Sequence, residues 1–139
     1  FPDNCWVGVS ATTFRMFVDA LYYLQSVRAS VKFLSIEPLL SWDRVITNSY
    51  AYSKDLGHAF SDDVLFKDAN IKWVIIGQQT SVKESTTPKI EWVKEIVEAC
   101  DKIGVPTFLK YNLVGLLPIE EPFYKNDGSG WAIRQEFPR

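Results

Sequence analysis

Four short apolar runs, each closed by a polar or charged residue, set the pattern of this chain. They are Trp6-Val7-Gly8-Val9-Ser10, Phe33-Leu34-Ser35-Ile36-Glu37, Trp73-Val74-Ile75-Ile76-Gly77-Gln78 and Thr107-Phe108-Leu109-Lys110. Runs of this length, nearly continuous in apolar residues and separated by room for helices, mark buried parallel strands. Between the first two, Phe14, Phe17, Val18, Leu21 and Leu24 recur at helical spacing behind the hydroxyls of Ser10-Ala11-Thr12-Thr13. A helix is predicted from about Thr13 to Ala29. A short helix over Asp62 to Asp68 precedes the third run. A further helix begins at the Thr87-Pro88 cap, carries Ile90, Val93, Ile96, Val97, Cys100 and Ile103 as its stripe, and ends at Gly104 and Pro106.

These elements predict an α/β class: a small open parallel sheet of about four strands flanked by helices, in a single domain over residues 1–139. Residues 41–72 read as an irregular insertion, with Tyr50 and Tyr52 able to close over a ligand or to serve local packing. Residues 111–139, rich in Pro and Gly, read as a tail that is mostly loop, with one extended piece near Trp131 to Arg134.

In a parallel sheet the ligand site lies beyond the carboxyl ends of the strands, so Ser10, Glu37, Gln78 and Lys110 are expected to share one rim. Glu37 lies within the apolar stretch Leu34-Ser35-Ile36-Glu37-Pro38-Leu39-Leu40, and Pro38 ends the strand ladder behind it. Burial raises the pKa of such a carboxyl unless a cation meets it, and Lys110 is the candidate. The pair either binds a polar ligand or closes the sheet as a structural ion pair. Gly8 and Gly77 mark close approaches of the backbone to a neighbouring side chain or a ligand. Gly77-Gln78-Gln79-Thr80-Ser81 offers amides and hydroxyls for an adenine, ribose or amino-acid moiety, without the glycines of a phosphate loop.

Composition narrows the functions. At 139 residues, 47% hydrophobic and 23% charged, the sequence is that of one folded domain. A net charge of -2 with dispersed lysines and arginines gives no clear nucleic-acid surface. Cys5 and Cys100 form neither a disulfide framework nor a metal-ligand spacing. No stretch reaches the roughly 20 apolar residues of a membrane span and no signal pattern is visible, so no membrane association and a cytoplasmic location are expected. His58, the single histidine, sits beside Gly57 in the irregular segment and reads as a solvated loop residue, and no metal site is expected. A metal-dependent hydrolase using Glu37 with Asp43, Asp62 or Asp63 ranks low, because those acids fall mostly in the irregular segment. Trp6, Trp42, Trp73, Trp92 and Trp131 read as core. Phe1-Pro2-Asp3-Asn4 leads within a few residues into a strand, so the chain is expected to be a piece of something longer.

The four runs in order, with Trp92 and Gly104-Val105-Pro106 before the last, resemble the carboxyl-terminal half of a phage- and mobile-element-associated family of unknown function that is similar to radical S-adenosylmethionine proteins. The resemblance spans about Asn4 to Lys110, and the Trp131 to Pro138 stretch is similar to the family's usual end. It implies a partial (βα) barrel whose missing amino-terminal half carries a three-cysteine [4Fe–4S] motif. Those cysteines are absent here, and neither Cys5 nor Cys100 is carried over as a cluster ligand. The family's Gly-Gly-Glu after the third run is altered to Gly77-Gln78-Gln79, whereas Ser10, Glu37 and Lys110 match. The resemblance implies S-adenosylmethionine as cofactor, contacted by Ser10, Glu37, Gly77 and Gln78, with Lys110 toward substrate or as Glu37's partner. No catalytic residue is assigned, and whether the chain is an enzyme stays open. The implied partner is the missing half. The alternative is a self-sufficient binding module that associates with its own copy through an open sheet edge.

Overall fold

The computed structural model describes residues 1–43 and 62–139, and within them all four apolar runs are strands. β1 (Trp6–Ser10), β2 (Val31–Ile36), β3 (Trp73–Ile76) and β4 (Thr107–Leu109) pair in parallel in the order β1-β2-β3-β4. Tyr50, Tyr52 and His58 lie outside the described residues. The sheet is open, with β1 and β4 at its two ends rather than paired to each other.

Helix α1 (Phe14–Leu24) begins where the hydroxyl pattern placed it: Thr13 is the N-cap, its Oγ1 accepting from Met16 N at 3.2 Å. It ends well before the predicted Ala29. The Leu24 carbonyl is capped instead by Lys32 Nζ at 2.7 Å, and Val27 packs against the core from the turn beyond the helix. Helix α2 (Asp62–Asp68) agrees with its predicted span. Helix α3 (Ile90–Ile103) starts after Lys89, not at the predicted Thr87-Pro88 cap. Thr87 closes a single 3-10 turn over Glu84–Thr86, and its hydroxyl donates to the Lys83 carbonyl at 2.7 Å, leaving nothing to cap α3. At the far end Gly104 takes a left-handed φ of 72°, a conformation that strains any side-chain-bearing residue, and turns the chain straight into β4.

The three helices among the described residues pack on one face of the sheet. Leu34, Ile36, Val74, Ile76 and Leu109 alternate onto that face and join Phe14, Phe17, Leu21, Phe66, Val93, Ile96 and Val97 in one buried cluster. Trp42 closes it, its ring 5.0 Å from Phe17 and 5.4 Å from Phe14, with Nε1 donating to Asp62 Oδ2 at 2.9 Å. The residues between them in sequence, Phe33, Ser35, Trp73, Ile75 and Phe108, point to the other face and are only partly covered.

The tail holds more structure than its composition suggests. β5 (Tyr124–Asn126) and β6 (Trp131–Ile133) form an antiparallel hairpin, so the extended piece near Trp131 has a partner strand that Pro and Gly concealed. Beyond it the chain runs antiparallel along β4: Leu109 N donates to Arg134 O at 2.8 Å and Glu136 N to Thr107 O at 3.0 Å. That strap covers the outer edge of β4, and β1 is the bare edge among the described residues. No helix among them is long and apolar enough to cross a membrane.

Candidate functional site

Strand register places the candidate rim residues. Gly8, Phe33 and Trp73 form one row across the face that no described helix covers, and Ser10, Ser35, Ile75 and Phe108 form the next. Side chains alternate along a strand, so Glu37, Gly77 and Lys110 continue the same face one row further toward the carboxyl ends. The ladder reaches that row: Gly77 N donates to Ile36 O at 3.1 Å and Lys110 N to Ile76 O at 2.9 Å.

Glu37 and Lys110 stand on either side of β3, a gap of roughly 10 Å between backbones two strands apart. They close it over Gly77. Lys110 Nζ donates to Glu37 Oε1 at 2.8 Å, and Oε2 lies 2.7 Å away. A Cβ on Gly77 would lie 3.2 Å from Lys110 Cδ and 3.3 Å from Glu37 Cδ. The glycine is therefore the space through which the pair meets. With 26% of the Glu37 side chain and 42% of the Lys110 side chain exposed, the pair is open to solutes.

The backbone around the pair is pinned. The Glu37–Pro38 peptide is cis, and Leu39 N donates to Gly77 O at 2.9 Å. Gln78 is buried, and Asn112 brackets it: Gln78 N donates to Asn112 Oδ1 at 3.2 Å, Asn112 Nδ2 donates to Gln78 O at 2.7 Å, and Gln78 Nε2 donates to Asn112 O. Gln78 thus ties the turn after β4 to the loop after β3. Asn112 is a rim residue that sequence reasoning missed, and the signal available was an amide directly beyond a strand end. Ser10 is exposed at the end of β1, in register with Ser35, one strand over from Glu37 and one row back from it.

Toward the amino ends the same face is aromatic. Trp73 lies 6.0 Å from Trp6, 5.7 Å from Phe33, 6.1 Å from Phe108 and 5.6 Å from Phe137, with Nε1 donating to Glu136 O at 2.7 Å. A core assignment for all five tryptophans does not hold. Trp42 is the one buried in the core, while Trp6 is 51% and Trp131 48% exposed. Gly8 accommodates Phe33, whose ring occupies the space a Cβ would need.

Neither cysteine suits a metal cluster. Cys100 lies wholly inside the helix-side core, where burial pushes its thiol up to about 12, and Cys5 is partly buried before β1. No group of three potential metal ligands occurs among the described residues. Asp62 is engaged by Trp42, and Asp63 lies 3.4 Å from Lys102, so these two acids already have partners of their own.

No curated protein and no solved structure matches the chain. A family model does match, over residues 1–114, and the chain belongs to that family, described as Protein of unknown function (DUF5131).

Proposed function

We propose that this chain is the recognition half of a radical S-adenosylmethionine-like enzyme, contributing cofactor and substrate contacts and inactive alone. The observation that carries the reading is the Glu37–Lys110 pair laid across Gly77 on the face that no described helix covers, at the carboxyl ends of the strands. In a barrel wall the helices stand outside and the other face looks inward, and the one-sided packing of this sheet supports that comparison. An amino-acid end carries an ammonium and a carboxylate, so it fits a pair that can part to meet both, Glu37 taking the ammonium and Lys110 the carboxylate. Ser10 offers a further polar contact along the rim, while the backbone N–H groups of Gly77 and Gln78, taken up by Ile36 and Asn112, hold the rim in shape. S-adenosylmethionine, once bound, supplies radical chemistry when an electron reaches it. The described residues do not fit a cluster to deliver that electron, so the chain's own work is binding and orientation.

Calorimetric titration of S-adenosylmethionine into the purified chain tests this reading. Saturable heat is expected, with affinity falling at least about tenfold in Glu37→Gln and Lys110→Ala while both variants melt within a few degrees of the parent. No heat with the parent chain overturns the reading.

A second reading, a binding module that associates with its own copy, draws on the edge of β1, which is bare among the described residues. A strictly monomeric chain by light scattering counts against it.

A further inference from the structure

The end of the sheet opposite the rim holds a cleft of about 740 Å³. It opens among the amino ends of β2, β3 and β4 and the carboxyl ends of α2 and α3. Lys67, Lys72, Lys102 and Arg139 line it, and among the described residues no carboxylate side chain does. Four of the chain's 15 lysines and arginines thus converge on one concavity of a protein whose net charge is -2. The remainder of the lining is largely apolar, including Val31, Ile71, Val105 and Pro106.

Part of this charge has a structural explanation. Lys67 and Lys102 stand in the last turns of α2 and α3, where a cation offsets the helix dipole, and Lys102 also lies 3.4 Å from Asp63. Lys72 and Arg139 have neither excuse. They belong to no helix, and neither forms an ion pair among the described residues. Lys72 is held in place by its backbone N–H, which donates to Lys32 O at 2.8 Å. Like charges gathered in a concave site repel one another until an anion enters, and low-dielectric walls focus the field they make.

We infer that this cleft binds a small phosphorylated ligand with an apolar body, of nucleoside diphosphate size. The volume lies within the roughly 300–1,000 Å³ range of small-molecule sites. Four cations suit two phosphates, and the apolar lining suits a base or comparable ring. A long polyanion is disfavoured, because outside the cleft it would meet a surface carrying the excess negative charge. The inference uses none of the rim residues and stands apart from the proposed function.

Equilibrium titration of ADP into the chain at low salt, followed by calorimetry, tests it, with adenosine and pyrophosphate as comparison probes. ADP is expected to bind saturably, at least about tenfold more tightly than adenosine, and to weaken as salt is raised. Lys72→Ala is expected to lower ADP affinity several-fold and Lys72→Ala with Arg139→Ala at least about tenfold, with unchanged thermal unfolding. Glu37→Gln should leave ADP binding as it is, so the result is separable from that of the rim. Equal binding of adenosine and ADP, an unaffected double variant, or a short DNA duplex that displaces ADP at lower concentration than pyrophosphate does would each overturn the inference.

Discussion

Gly77 shows how one missing side chain organises the rim. Its φ lies outside the left-handed region, so the backbone tolerates alanine; what resists is the space claimed by Lys110 and Glu37. Gly77→Ala restricts the unfolded chain, a gain of about 0.4–1 kcal/mol, against the cost of nudging two flexible side chains by a few tenths of an ångström. Stability in urea is expected to stay within about 1 kcal/mol of the parent. Gly77→Val, which fills the space with two methyl groups, should part the pair and lower S-adenosylmethionine affinity more than Gly77→Ala does. Equal affinities across the three proteins would show that the pair has no part in binding. Cys100 makes the second prediction at this scale. Burial raises its thiol from 9.0 to about 12, so the folded state keeps a proton that the unfolded state releases between those values. Its contribution to stability is complete below pH 9 and is lost as pH climbs toward 12, at up to about 1.4 kcal/mol per pH unit. Urea melts in that window should show a shallower decline for Cys100→Ala than for the parent, and a thiol reagent at pH 8 should modify Cys5 well before Cys100 in the folded protein.

Among the elements, the strap after β6 depends on one residue. Arg134 is buried, its side chain 4% exposed, and its guanidinium donates to Asp101 across to α3 and to Glu136 along its own strand. Burial works against its charge, but the two carboxylates outweigh burial and hold its pKa above the usual value. Removing the guanidinium strands neither carboxylate deeply, because Asp101 and Glu136 are 41% and 36% exposed, so the loss falls below that of a wholly buried pair. Arg134→Ala is expected to cost about 2–3 kcal/mol in urea unfolding and to free the strap, exposing Trp73 to quenchers. A variant of parental stability would refute the docking role. The strap also marks the boundary of what the sequence disclosed. The four strands and α2 were legible because their apolar runs are local and periodic, and Thr13 announced the start of α1 by its hydroxyl. The Glu37–Lys110 pair was legible because parallel topology brings strand ends to one rim. The β5–β6 hairpin and the strap were not, since Tyr124–Asn126 carries a single buried residue and the strap is specified by partners distant in sequence. Thr87-Pro88 misled for a related reason: the hydroxyl had a nearer carbonyl to serve.

At the scale of the whole molecule, the described residues are lopsided. Every described helix covers the same side of the sheet, and the other side presents Trp6, Phe33, Trp73, Phe108 and Phe137, crossed among the described residues only at one edge by the chain's own strap. The aromatic face adjoins the polar row at Glu37 and Lys110, which is how the inner wall of a barrel would be divided between packing and ligand contact. In water, half-exposed aromatic rings next to a bare strand edge favour association, because covering them removes apolar area at roughly 25 cal/mol per Å². Trp6 carries both features: it is 51% exposed, it lies on the edge strand β1, and its ring meets Trp73 at 6.0 Å. The isolated chain is therefore expected to associate as concentration rises, in light scattering, and Trp6→Glu is expected to hold it monomeric by placing charge on that edge and face. If the parent stays monomeric throughout, the aromatic face is stable in water unaided and the bare edge attracts no partner copy. If Trp6→Glu blocks association yet leaves S-adenosylmethionine affinity intact, face and rim are separate surfaces. The reading of this chain as a barrel wall then rests on the rim, since a second copy would be covering the face for its own sake.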